Sequence, residues 1–300
     1  MKRFVSICSK VKYLGLLGLP SLFLDHRIFD LLWLLWLLGF VEIFYYYYLY
    51  VQSFKQLWGM LVIPLRYGAN LPNIENYISK VTYSLPFHGS WTVVNGGIDK
   101  TSSHSWSIPT QRYAYDFLII DDMGKSHVGA DLNPNDYYCY GKEVLAPADG
   151  EVIEAVCNYP DSHITADGKV GCIAHDIRGN HLLLRHAEGE YSLLAHLKPD
   201  SIRVKIGDRV QRGQCIALCG NSGNSSEPHL HFQIQNGVSF FTSAGLPVEF
   251  DQISVEPTPH YSSFDPRPIP SSEYLPKRYI IRGQTVCNRI APLSSEAAMG

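Results

Sequence analysis

The sequence predicts a mainly β protein, an antiparallel β-sandwich or barrel, preceded by an N-terminal hydrophobic helical membrane segment. Beyond residue 85, short apolar runs alternate with Gly, Pro, Asn and Asp, as is typical of strands joined by turns. The same region has no strong helical period, which favours an all-β architecture. Residues 28–51 instead form a long apolar and aromatic stretch, in which only Asp30 and Glu42 are charged.

Residues 1–52 are interpreted as a membrane anchor. Residues 13–24 are apolar but too short to span a bilayer, whereas residues 28–51 are long enough to cross a hydrocarbon core of about 30 Å. Four consecutive tyrosines at 45–48 lie where an aromatic belt belongs. A single span at 28–51 and a hairpin of two membrane segments both stay open. Membrane contact through residues 13–51 is expected in either arrangement.

The charges of the N-terminal region bear on its orientation. Residues 1–12 contain four cations and no acid, which favours an N-terminus on the cytoplasmic side. A single span then predicts a cell-membrane protein with an extracytoplasmic β domain, whereas a hairpin returns that domain to the cytoplasm. Glu42 is costly at a bilayer centre and weakens the single-span interpretation. A cleaved signal is disfavoured because no small-residue cleavage site is evident.

The rest of the chain divides into a connector at 53–84, a β domain at 85–256 and a proline-rich tail at 257–300 that is predicted to be extended. Eight apolar runs in or near the β domain are predicted strands. They lie at 91–94, 114–120, 143–146, 150–156, 181–186, 191–196, 214–218 and 229–235.

Composition narrows the possible functions. The net charge is −3, and no stripe of lysine and arginine with interleaved aromatic residues is present, so nucleic acid is not expected as a partner. The seven cysteines are neither dense nor in a zinc-finger spacing. For Cys215 and Cys219, buried free thiols are the simpler interpretation, and a disulfide is the alternative.

A His-x-His pair indicates the site. His229 and His231 point to one face of a strand, while Leu230 and Phe232 point into a core. Solvated histidines on a surface strand are the simpler alternative. A catalytic zinc ion, however, needs about three nitrogen or oxygen ligands and an open position for water. His196, which ends another strand, and Asp116, which lies within an aromatic and apolar run, supply the remaining groups of such a site.

Several sequence blocks in order carry a resemblance to a known family. They are an Ala-Pro-Ala-Asp-Gly strand pair at 144–152, an Ala-His-Leu block at 181–197, a Val-x-x-Gly-x-x-Val-x-x-Gly-Gln hairpin at 204–214, and the glycine turn with His-Leu-His-Phe at 220–232. Over residues 85–250 the chain resembles the lysostaphin/LytM-type zinc metalloendopeptidases. The resemblance implies an antiparallel β fold, one zinc ion and hydrolysis of peptide bonds, commonly in peptidoglycan.

Carried over by position, the resemblance makes Asp116 and His231 zinc ligands. His196 and His229 match the two catalytic histidines that do not bind the metal, and His186 is expected to be structural.

One position departs from the family pattern. The first histidine ligand of the family lies four residues before the aspartate, where this chain has Arg112. A guanidinium is always charged and is not a metal ligand. His104, on a Gly/Ser-rich loop just upstream, is the predicted replacement, because loops on a rigid scaffold commonly carry site residues. His88 and His127 are poorer candidates.

The leading hypothesis is a membrane-anchored zinc metalloendopeptidase with a peptide or peptidoglycan substrate. In the alternative, Arg112 pairs with Asp116 in a degenerate site, and the peptidase-like domain acts as a binding or activator module at the cell envelope. A third hypothesis assigns the function to the first fifty residues, with the β domain as a sensor.

Overall fold

The computed structural model describes residues 1–129, 132–165, 174–273, 275–276 and 278–289. The chain divides into two compact units, Met1–Phe54 and Lys55–Gly300. Cys172 and the end of the predicted tail lie outside the described residues.

The first unit is helical. Its elements are α1 (Lys2–Val11), a 3-10 helix (Lys12–Leu22), and a continuous helical stretch made of α2 (Arg27–Leu32), a 3-10 turn (Trp33–Leu37) and α3 (Leu38–Tyr45). The stretch Arg27–Tyr45 is the single helix among the described residues that is long and apolar enough to cross a membrane. Signal sequences share this length and composition. After a break at Tyr46, α4 (Tyr47–Tyr67) follows.

Within the first unit, the two apolar stretches lie against each other as a helical hairpin. Gly15 and Gly18 have no side chains and so admit the indole rings of Trp36 and Trp33, respectively. Lys12 forms an ion pair with Glu42. This pairing offsets the cost of placing Glu42 in an apolar segment. The choice between one membrane span and two stays a prediction.

The second unit is mainly antiparallel β, which confirms the predicted fold class. All eight predicted runs form strands, and four short ones are added. The strands are β1 (Trp91–Asn95), β2 (Tyr115–Leu118), β3 (Glu143–Leu145), β4 (Gly150–Val156), β5 (Asn180–Ala187), β6 (Glu190–Leu197), β7 (Arg209–Val210), β8 (Cys215–Leu218), β9 (Leu230–Gln235), β10 (Gly245–Leu246), β11 (Ile253–Pro257) and β12 (Gln284–Asn288).

One large sheet positions the site. Its strand order is β11-β12-β1-β2-β9-β6-β5-β4-β7, with β10 paired to β9, and β3 and β8 form a second sheet. The apolar residues that alternate along these strands pack between the two sheets in a core that includes Phe117, Leu194, Phe232 and Phe250, all fully buried. Of the two cysteines that flank residues 216–218, Cys219 is buried and Cys215 half-buried, and both are free thiols.

The described part of residues 257–289 differs from the extended tail that was predicted. It forms a short helix, α5 (Tyr261–Phe264), and β12, which pairs with both β1 and β11. Val286 is fully buried in the core. The many prolines before residue 277 concealed this strand, because prolines indicate irregular chain locally but do not prevent a later segment from completing a sheet.

Part of the predicted connector is tied to the β domain by a buried carboxylate. Glu190 is completely buried and accepts hydrogen bonds from the Tyr77 hydroxyl, the Lys80 backbone N–H (2.5 Å) and the Tyr83 hydroxyl (2.9 Å). These neutral donors satisfy an anion that would otherwise be costly to bury. The boundaries predicted at residues 52 and 84 stay proposals.

Candidate metallopeptidase site

Strand register brings the predicted site residues together. Asp116 on β2 pairs directly with His231 on β9, and His231 also pairs with Ala195 on β6. His196 follows Ala195, and its ring centroid lies 4.7 Å from that of His229 and 5.8 Å from that of His231. Residues that are more than a hundred positions apart in the chain therefore meet at one end of three neighbouring strands.

Asp116 is an ionised carboxylate at the centre of this cluster. Its Oδ1 atom lies 2.8 Å from His231 Nδ1 and 3.7 Å from His229 Nε2, and its Oδ2 accepts a hydrogen bond from Asn95 Nδ2 at 3.0 Å. Burial would raise the pKa of Asp116, but the hydrogen bond to His231 and the charges of nearby histidines outweigh it and lower the pKa well below its usual value. The carboxylate therefore carries its negative charge at neutral pH.

A chain of two glutamines fixes the hydrogen of His231. Gln235 Nε2 donates to the carbonyl oxygens of Gly237 and Val238, so Gln235 Oε1 accepts from Gln233 Nε2 at 2.8 Å. Gln233 Oε1 then faces His231 Nε2 at 3.1 Å and requires a hydrogen on that nitrogen. Side chains two apart on a strand share a face, which is why these groups align.

The hydrogen on Nε2 determines what the other ring nitrogen of His231, Nδ1, presents to Asp116. In the neutral ring, Nδ1 presents a lone pair to Asp116 Oδ1, so two acceptors face each other across 2.8 Å. A proton or a cation must lie between them. Without a metal, burial opposes the charged ring, but the bond to Asp116 outweighs burial and raises the pKa of His231.

His196 and His229 are both held through Nδ1 by backbone carbonyls. His196 Nδ1 lies 2.8 Å from Ser222 O, and His229 Nδ1 lies 2.8 Å from Glu227 O. A carbonyl only accepts, so each Nδ1 carries the hydrogen and, in the neutral ring, each Nε2 carries the lone pair. Burial, and then the charges of the neighbouring histidines, lower the pKa of His196 well below 6.5. His196 is therefore a neutral base.

His196 also has an unusual backbone conformation. Its φ is +61°, in the left-handed region that residues with a side chain rarely adopt. Such strain is found mainly at functional sites, where surrounding contacts hold it. The Ser222 carbonyl that binds the ring is one such contact, and Ser222 Oγ donates to Leu197 O at 2.7 Å. Ser222, which belongs to the predicted glycine turn, therefore also positions His196.

His104 lines the same cavity as the other four residues, and its role as a replacement ligand stays a prediction. Its backbone N–H donates to Asn95 Oδ1 at 2.8 Å, so Asn95 links the loop to the Asp116 carboxylate. Asp99 stabilises the loop by accepting hydrogen bonds from the N–H groups of Thr101 and Ser102. The His104 side chain is exposed.

Arg112 does not occupy the site. Its Nε donates to the Trp106 carbonyl oxygen at 3.1 Å, and its guanidinium stacks over the Trp106 ring at 5.0 Å. This cation–π contact draws the side chain towards Trp106. The pairing of Arg112 with Asp116 that would describe a degenerate site is not among the ion pairs of the described residues.

The other sequence candidates lie elsewhere. His88 lines a different cavity, beside Arg289, and His127 lines another, beside Tyr137. His186 contacts the Asp149 carbonyl and the Ser192 hydroxyl, both at 2.7 Å, in keeping with the structural role expected of it.

The side chains at the site are of types that bind zinc, and two of them, Asp116 and His231, are arranged as ligands. Asp116 Oδ1 and His231 Nδ1 are two facing ligands of the types that zinc prefers, and both are oriented by further hydrogen bonds. Among the residues that the structure describes, no three His, Cys, Asp or Glu side chains are gathered as a complete set of metal ligands. Zinc binding through His104 as a third ligand would therefore require that side chain to move towards the pair.

The cavity has a volume of about 420 Å³ and is completed by residues that the sequence analysis did not identify. Asn95, Asp265 and Arg267 all line it, and Gln233 lies behind His231. The glutamines at 233 and 235 continue the alternation of the His-x-His pair, so that pattern was a signal for Gln233. Asn95, Asp265 and Arg267 carry no comparable local signal.

Comparison with known proteins agrees with the family resemblance. The profile of Peptidase family M23 matches residues 125–243, a range that includes His196, His229 and His231 but begins after His104 and Asp116.

Two curated relatives cover different lengths of the chain. A 71-residue segment is 44% identical to the peptidoglycan DD-endopeptidase ShyB of Vibrio cholerae and covers 23% of this chain and 16% of that protein. A 166-residue segment is 30% identical to the glycyl-glycine endopeptidase ALE-1 of Staphylococcus capitis and covers 51% of this chain and 40% of that protein. The chain thus spans less than half the length of both relatives.

Among solved structures, the catalytic domain of lysostaphin from Staphylococcus simulans aligns at 24% identity with a TM-score of 0.28. The alignment covers 57% of this chain and 90% of that one.

Proposed function

This chain carries a domain of peptidase family M23 at residues 125–243, and from that premise we propose that it is a membrane-anchored zinc metalloendopeptidase that cleaves peptide bonds in peptidoglycan. One observation supports the proposal above the others. Asp116 and His231 face each other across 2.8 Å as a carboxylate and an imidazole lone pair, beside two histidines whose Nε2 atoms are available as bases.

Zinc would be held by Asp116, His231 and His104, and when bound it supplies a Lewis acid to the peptide carbonyl and to a water molecule. Neutral His196 accepts the proton of the attacking water at Nε2. The resulting imidazolium can donate that proton to the leaving nitrogen as the C–N bond breaks. His229, held by the Glu227 carbonyl, donates a hydrogen bond from Nε2 to the developing oxyanion when it is protonated.

The relatives support a proposal for the substrate class. The two named above are a peptidoglycan DD-endopeptidase and a glycyl-glycine endopeptidase. We therefore propose peptidoglycan peptides as the substrate and place the domain outside the cytoplasm, anchored through residues 13–51. Membrane fractionation and protease accessibility in intact spheroplasts test this placement. A soluble, processed chain would instead identify the apolar segment as a signal.

The experiment combines metal analysis with turnover of purified peptidoglycan by the full chain in detergent. We expect one zinc per wild-type chain, loss of zinc in His231→Ala and weakened zinc binding in His104→Ala. His229→Ala should keep zinc but lose a factor of about 10²–10³ in kcat. His88→Ala is the matched control, because His88 lines a different cavity. A wild-type chain with neither zinc nor turnover would refute the proposal.

A second candidate function is a degenerate domain that binds envelope peptides without cleaving them. It is favoured by the incomplete ligand set among the described residues and by the hydrogen-bonded Asp116–His231 pair. Unchanged zinc content in His104→Ala would exclude His104 as the third ligand. Peptide binding by a chain that contains no zinc would support this second function.

A further inference from the structure

The C-terminal segment that follows α5 forms one wall of the site cavity. Phe264, Asp265 and Arg267 line the cavity together with His104 and Asp116. This segment lies beyond residue 243, where the match to the family profile ends. Its contribution to the site is therefore a property of this chain, and no role follows for it from the family match.

Asp265 and its two arginine partners form a cluster with a surplus positive charge beside the cavity, whose lining also includes Asp116 and Glu227. Asp265 is 7% exposed and binds two guanidinium groups, Arg282 Nη1 at 2.8 Å and Arg267 Nη2 at 2.7 Å. Burial would raise the pKa of Asp265, but its hydrogen bonds with Arg267 outweigh burial and lower the pKa to about 2. One ionised carboxylate is thus shared by two cations, which leaves a net charge of about +1.

Of the two cations, Arg267 is the one available to a ligand. Arg282 is 2% exposed and its Nη2 donates to the Pro268 carbonyl at 2.6 Å, so it serves the fold. The Arg267 side chain is 52% exposed. Asp265 also binds the Arg282 guanidinium and the Tyr261 hydroxyl, so Arg267 is not its only partner.

The geometry of Arg267 is that of a prepared binding group. Its hydrogen bonds to other described residues use Nε and Nη2, both directed to Asp265, which fixes the plane of the guanidinium and leaves Nη1 for a ligand. An exposed ion pair of this kind contributes little to stability. A guanidinium held in one plane can donate a charge-assisted hydrogen bond from Nη1 to a carboxylate oxygen without first having to be ordered.

We propose that Arg267, oriented by Asp265, binds a carboxylate of the peptide substrate and makes the enzyme selective for peptides with a free carboxylate near the scissile bond. This inference depends on the proposed function for its substrate. The carboxylate belongs either to the peptide terminus or to an acidic side chain, since both present the same two oxygens to the guanidinium.

The test uses the full chain and one cross-linked peptidoglycan peptide in four forms: with both carboxylates free, with the terminal one amidated, with the side-chain one amidated, and with both amidated. We expect the wild type to prefer the peptide with both carboxylates free over the doubly amidated peptide by about 10- to 100-fold in kcat/KM, mostly through KM. This is the factor that one hydrogen bond to a charged group typically contributes. The singly amidated forms then identify which carboxylate is bound.

Arg267→Gln should abolish the preference, mostly by raising KM for the peptides with a free carboxylate to the value that the same variant shows for the doubly amidated peptide. Arg267→Lys should restore part of the preference through charge alone. The matched control is Arg203→Gln. Arg203 is equally exposed, at 51%, and is paired with Glu143. The Arg203→Gln variant should keep the full wild-type preference for the peptide with free carboxylates.

Two outcomes would overturn the inference: an Arg267→Gln variant that retains the preference, or a wild type that binds the four peptides equally. Binding is measured separately by fluorescence anisotropy. A chain that cleaves none of the peptides refutes the proposed function, whereas the binding comparison still decides the role of Arg267. The thermal midpoint of each variant shows whether a loss comes from unfolding.

Discussion

Replacing Gln233 with leucine should weaken zinc binding without touching a ligand. Gln233 is 1% exposed and has hydrogen bonds of 3.1 Å to His231 Nε2, 3.3 Å to the Thr110 carbonyl and 2.8 Å to Gln235 Oε1. Leucine is similar in size, so the change leaves three buried partners unsatisfied. At about 1 kcal/mol or more for each, the chain should lose about 3–5 kcal/mol of stability.

The loss should also affect the metal. Without Gln233 Oε1, the hydrogen of His231 is no longer held on Nε2, and Nδ1 no longer presents its lone pair to Asp116. Removing such an orienting partner typically costs about 10–100-fold in metal affinity. Zinc affinity is measured by competition with a chelator, and stability by urea unfolding of the metal-free chain followed by circular dichroism.

Asn288→Ala is the matched control for Gln233→Leu. Asn288 makes three hydrogen bonds, at 2.9–3.0 Å, to the backbone of Leu85 and Phe87, and it lines a different cavity. It should lose stability and keep wild-type zinc affinity. The reasoning fails if Gln233→Leu binds zinc as tightly as the wild type, or if both variants lose zinc equally.

Three further predictions concern the second unit, Lys55–Gly300. Glu190→Gln should cost about 2–4 kcal/mol of unfolding free energy, because an amide replaces a carboxylate that accepts from Tyr77 and Tyr83; wild-type stability in urea would contradict this. Burial, and then the charge of Glu190, raise the pKa of Tyr83 above 10. The unfolded chain loses the Tyr83 proton near pH 10, so the contribution of Tyr83 to stability is complete below that pH and falls as pH rises above it. Tyr83→Phe should therefore reduce the loss of unfolding free energy measured between pH 9 and 11. An unchanged dependence of unfolding free energy on pH would refute the assignment. Gly59→Leu should make residues 55–67 more susceptible to proteolysis, because a Cβ at this position would lie 1.7 Å from the Phe241 carbonyl oxygen. Unchanged resistance to proteolysis would show that the close approach of Gly59 to Phe241 does not hold these residues in place.

Eight of the twelve strands among the described residues could be predicted because each carries its own short apolar run or alternation of side chains. The pleat of a strand places residues i and i+2 on one face whatever the partner, so His229 and His231 could be assigned a common face. Residues 284–288 had no such prediction, since their strand depends on pairing with β1 and β11. The proline-rich segment before residue 277 indicated irregular chain and so concealed this strand.

The fate of Arg112 could not be predicted from its neighbours in the chain. A strand that extended back to Arg112 would place it on the same face as Asp116, which allowed either an ion pair or an open site. In the structure, Arg112 precedes β2, which begins at Tyr115. The choice was made by Trp106, whose carbonyl and ring hold the guanidinium. Such competition between partners depends on loop conformation, which local pattern does not specify.

By itself, the sequence determined which residue types could form a zinc-peptidase site and which of them share a strand face, because both properties are local. Only the tertiary structure decided that Asp116 faces His231, that carbonyls of Ser222 and Glu227 orient two histidines, and that Arg267 lines the cavity. The physical reason is register: hydrogen-bonded pairing between strands distant in the chain sets which side chains meet.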